Sequence, residues 1–149
     1  MKANAGEVYT VYNQYLKRYT ACQVAYIAPP DMVSKESWAV ILSLDWVGDA
    51  PLTAEELPHL RPLYMDFMYW SRDLHLLRVP LEIPPQYTLV GTLPPFTDQP
   101  CYSYGGWSDG HDVYLQIRWQ AILEERRRAL KEAMESDEQT EIGGIPLKV

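Results

Sequence analysis

From Val113 to Trp119 the chain alternates without a fault: Val113, Leu115, Ile117 and Trp119 hold every odd position, and Tyr114, Gln116 and Arg118 hold the even ones. Successive side chains leave opposite faces of an extended backbone, so a period of two predicts a strand that is buried on one side. Such a strand needs a neighbour for its backbone donors and acceptors. By pattern the partner is Tyr87–Leu93, where Tyr87, Leu89, Gly91 and Leu93 share one face and Thr88, Val90 and Thr92 the other. A double proline and the turn-rich run Tyr104-Gly105-Gly106-Trp107-Ser108-Asp109-Gly110 lie between the two, so no tight hairpin is required.

The rest of the chain adds strands and little helix. Residues 7–27 carry apolar side chains at spacings that fit a helix, but their Val, Tyr and Thr content favours extended chain, and a hairpin of Glu7–Asn13 with Lys17–Ile27 is expected. Pro29 and Pro30 end it, because proline cannot donate to a ladder. Trp38–Val47, nearly all apolar, predicts a central strand interrupted only by Asp45. Thr53 and Glu56 have the spacing of a capping box, and Pro58 limits the helix near 54–60 to a turn or two. Residues 63–79 predict two strands broken near Ser71-Arg72-Asp73, with Leu63, Met65, Phe67 and Tyr69 on one face, and Leu74, Leu76 and Arg78 sharing a face in the second. After Trp119 the apolar period lengthens toward 3.6, giving a helix at about 120–135. The expected fold is therefore α+β: a strand-rich single domain over 1–149 with a core at about 5–135. It would be built on a mainly antiparallel twisted sheet or partly open barrel, with 136–149 as a tail.

Composition restricts the chemistry. Twenty acidic against thirteen basic residues give a net charge of −7, the wrong sign for a nucleic-acid backbone. Cys22 and Cys101 have no paired spacing, so two reduced thiols and a cytoplasmic location are expected, with no signal segment and no membrane span. His59, His75 and His111 lack the spacing of a metal site, and no cofactor motif is present. Cys101, His111 and Asp112 invite a small-hydrolase reading, as do the paired carboxylates, but no helix start follows the thiol to activate it. Five Trp and eleven Tyr against two Phe are mostly core, although these ring types also anchor protein interfaces. Carboxylates interleaved with them suit a surface that grips a basic protein. On that ground Asp45, Asp49, Trp70, Asp73, Trp107, Asp109 and Asp112 are the candidate partner-binding residues.

The order of the pieces is familiar. Gly6-Glu7-Val8-Tyr9 opens the first strand, Arg18-Tyr19 and Cys22-Gln23-Val24 lie on the second, and Pro85-Gln86-Tyr87-Thr88-Leu89-Val90-Gly91 follows much later. Tyr104-Gly105-Gly106-Trp107 and the strand at Gln116–Trp119 complete the set. In this order the chain resembles the small immunity proteins of bacterial polymorphic toxin systems, the β-rich type numbered twenty-sixth in that classification. The resemblance implies a cytoplasmic, non-enzymatic protein that binds and neutralises one cognate toxin domain; it carries over no binding residues. The segment Arg118-Trp119-Gln120 through Leu130 also resembles the ends of phage assembly chaperones, which would imply a phage accessory or virion-assembly role.

Overall fold

The computed structural model describes residues 1–14, 16–32, 35–65, 72–107 and 124–135. Contacts within the chain gather into two compact units, Met1–Tyr114 and Leu115–Val149.

The first unit is a five-stranded sheet: β1 (Glu7–Asn13), β2 (Arg18–Ala28), β3 (Trp38–Gly48), β6 (Leu76–Pro80) and β7 (Thr88–Thr92), with β4 (Tyr64–Met65) and β5 (Asp73–Leu74) forming a separate two-stranded ribbon. Among the described residues every pairing between these strands is antiparallel, and the order β6-β3-β2-β1-β7 leaves β6 and β7 at the two ends of the sheet. The expected hairpin forms as read, Tyr9 facing Cys22 and Tyr12 facing Tyr19. The run expected to be central, β3, is interior, although the middle place belongs to β2. Both strands are eleven residues long and bury side chains on both faces, which explains why their apolar runs are nearly unbroken.

Two layers pack on the sheet. Tyr9, Cys22, Val24, Ala39, Leu77 and Val79 turn to one face, where Ala3, Ile83 and Trp107 cover them. Val8, Ala21, Ala25, Leu42 and Leu44 turn to the other, under Leu52 and Leu60. The more buried pair on β6 is thus Leu77 and Val79, whereas Leu74 and Leu76 are only partly buried against the second layer. Leu74, Leu76 and Arg78 were expected only to share a face, and here both faces of the sheet are covered.

Beside β3, the segment 61–63 continues the edge that β6 begins. Ser43 donates its amide to the His75 carbonyl, the Leu63 amide donates to Ser43, and the Asp45 amide donates to Arg61. The chain therefore leaves the sheet edge through β4 and returns through β5 into β6.

Near the predicted capping box the chain forms a 3-10 turn, Ala54–His59, with Pro58 inside it. The Thr53 hydroxyl makes no capping bond, because the Glu56 amide it would take is already bonded to the Thr53 carbonyl at 3.1 Å. β7 pairs with β1, and a register shift between Val8 and Tyr9 lets Val90 pack on the second layer while Leu89 stays exposed. Its expected partner, 113–119, lies outside the described residues.

In the second unit, residues 124–135 form the helix α1, as the change of period predicts. Leu130 and Met134 are exposed, Met134 to 73%.

Candidate partner-binding surface

Of the seven residues proposed to meet a partner, three are at the surface. Asp45 stands on β3 between Leu44 and Trp46, which both belong to the second layer, so its carboxylate leaves by the opposite face and is exposed. Asp49 follows the end of β3 with its side chain 89% exposed, in an ion pair with Arg18 at 3.1 Å. Such an exposed pair is screened by water and holds the carboxylate only loosely. Asp73 faces Met65 in the β4–β5 ribbon and is exposed. The hydrogen bonds from Ser43 and Asp45 to His75 and Arg61 draw the bases of this ribbon against the C-terminal half of β3. Asp45, Asp49 and Asp73 therefore belong to one end of the sheet, where Tyr12 is 48% exposed and Tyr64 lies under the Arg72 guanidinium at 4.5 Å.

Trp107 is different. It is 4% exposed and meets Tyr9 and Tyr87 edge to face at 5.9 and 5.2 Å, while its indole N–H donates to the Pro80 carbonyl at 2.7 Å. The Tyr87 hydroxyl donates to the Trp107 carbonyl. Its ring is a core component that clips the chain after β7 to the first face, not an exposed anchor. Trp70, Asp109 and Asp112 lie outside the described residues.

The same face carries a cleft of about 40 Å³. Cys22, Ile41 and Leu77 supply its floor from three adjacent strands, and Tyr87 and Trp107 form a wall. Ser43 and His75 also line it, with Ser43 Oγ 2.6 Å from His75 Nδ1. Because the Ser43 amide also donates to the His75 carbonyl, the two residues are bonded twice, which fixes the junction of β5 and β6 against β3.

Neither thiol is poised to react. Cys22 is fully desolvated, which pushes its pKa up to about 12 and keeps it protonated at neutral pH. Cys101 is buried against Ala28 and Val40, its Sγ 3.6 Å from the Ser103 carbonyl, and both cysteines are free, as their spacing predicts. His111, the base of the Cys101 hydrolase reading, lies outside the described residues. Among the described residues no three His, Cys, Asp or Glu groups gather as a metal site, and no helix is long and apolar enough to cross a membrane.

Two polar centres escaped the pattern reading. Arg78 donates to the Cys101 carbonyl at 2.6 Å and to Asp31 and the Tyr104 hydroxyl at 3.1 Å each, joining β6 to two loops. Its guanidinium also faces the Tyr102 and Tyr104 rings at 5.6 and 5.4 Å. Gln23 is fully buried; its amide donates to the Leu93 and Pro94 carbonyls and its oxygen accepts from the Phe96 amide. The signal for both was available, namely a polar residue inside an apolar strand, which must find partners. The partners, remote in sequence, were not. Compared with protein-family models, with curated proteins and with solved structures, the chain matches none.

Proposed function

We propose that this chain is a toxin-neutralising immunity protein, which binds and inhibits one cognate bacterial toxin domain by protein–protein contact in the cytoplasm and performs no reaction itself. The observation that carries the proposal is the joint exposure of Asp45, Asp49 and Asp73 at one end of the sheet, where Tyr12 and Tyr64 are also exposed. Residues 1–114 hold thirteen acidic against seven basic side chains, so nearly all of the net negative charge belongs to the sheet-bearing unit. A field of that sign accelerates encounter with a basic partner, and exposed tyrosines supply the apolar area that holds it once docked. A preformed sheet also lowers the ordering cost of binding. Arg18 and Arg72 lie beside Asp49 and Tyr64 at the same end and would discriminate among partners by their own repulsion. The partner is expected to be a basic toxin domain.

The test is rescue of growth. The product of the gene immediately upstream, shown to arrest growth, is expressed from an inducible promoter with and without this chain. Restored growth supports neutralisation; continued killing, with the chain shown to be folded and abundant, rejects it.

A further inference from the structure

The geometry points to the cleft between the sheet and Trp107 as a socket for one lysine side chain of the bound partner. This deepens the immunity proposal and rests on it for the identity of the partner. On β3, Ser43 and Asp45 turn to the same face two residues apart, about 7 Å along the strand. Ser43 is at the cleft and Asp45 is the next side chain on that face, open to water. An alkyl chain entering past Trp107 and Tyr87 meets Ile41 and Leu77, and the ammonium at its end comes within reach of Ser43 and the Asp45 carboxylate. A space of about 40 Å³ admits roughly three water-sized groups, which fits the last few atoms of an unbranched side chain. A carboxylate ligand is disfavoured by Asp45. The Cys22 thiol, held neutral, adds no competing charge.

Isotope-labelled protein titrated with n-butylammonium, n-butanol and n-butyrate decides the matter without a toxin. Butylammonium is expected to shift the Ile41 methyl and Trp107 indole signals, binding up to about fivefold tighter than butanol, the range one exposed ion pair supplies. The Asp45→Asn variant should lose that preference while still shifting with butanol. Equal binding of all three probes, or no shift with any, overturns the socket. The toxin complex gives a second readout: Val11→Phe, placed to fill the cleft, should weaken it at least tenfold. Full affinity in that variant, with growth rescue by the wild-type chain intact, would reject the socket and leave the immunity proposal standing. Failure of rescue would remove that proposal while the probe titration still decides the cleft.

Discussion

Gln23 sits in the middle of an apolar strand because its amide does work that a hydrocarbon side chain cannot do. It serves the carbonyls of Leu93 and Pro94 and the amide of Phe96, 70 to 73 residues away, and so ties the chain after β7 to the sheet. Gln23→Leu keeps the volume and strands these groups, and should cost about 1–3 kcal/mol in urea unfolding. Cys22 sets a pH limit. Its native pKa of about 12 lies above the ordinary 9.0, so the unfolded thiol releases its proton first. Stability is therefore complete below about pH 9 and falls as the pH rises toward 12. Tyr9 adds to the same trend, its pKa raised by burial and by its hydrogen bond to Glu7. Urea midpoints at pH 8 and pH 10.5 should show the decline, and Cys22→Ala should reduce its slope.

At the scale of elements, the start of β1 is stitched on both sides by one residue. The Gly6 amide donates to Val24 and its carbonyl accepts from Leu93, with φ at +91° and a side chain at that place lying 2.8 Å from the Leu93 carbonyl oxygen. Gly6→Ala should destabilise by about 1–3 kcal/mol. It should also speed amide exchange at Leu93 more than along the β2–β3 ladder, a difference that hydrogen exchange reads directly. The strands themselves were legible because their Val, Ile, Tyr and Trp content and prolines mark extended chain and its ends, and β1, β2 and β3 fall where expected. Helix 124–135 was legible from the change of period. The failures share a cause. Local pattern does not know what covers a face, so Leu77 and Val79 were passed over on β6, and Trp107 was read as an anchor when Tyr9 and Tyr87 enclose it. The capping box failed because a backbone 3-10 bond took the donor that a hydroxyl would have used.

For the molecule as a whole, the described antiparallel sheet, buried on both faces, provides the support, and Asp45, Asp49 and Asp73 are displayed where β3, the β1–β2 hairpin and the β4–β5 ribbon meet. Asp45, Asp49 and Asp73 were legible as candidates because an Asp that interrupts or ends an apolar strand has to face water. The cleft was not, since Cys22, Ser43, His75 and Trp107 come together only through pairing across three strands and a returning loop. The claim on which the functional account rests is that this end of the sheet grips a basic polypeptide. It is tested most directly by measuring the affinity of the purified upstream toxin domain for the wild-type chain and for the Asp45→Lys, Asp73→Lys double variant at low and high salt. The account predicts binding weaker by at least about tenfold and a shallower dependence on salt in the variant. The same affinity and the same salt dependence in both proteins would contradict it.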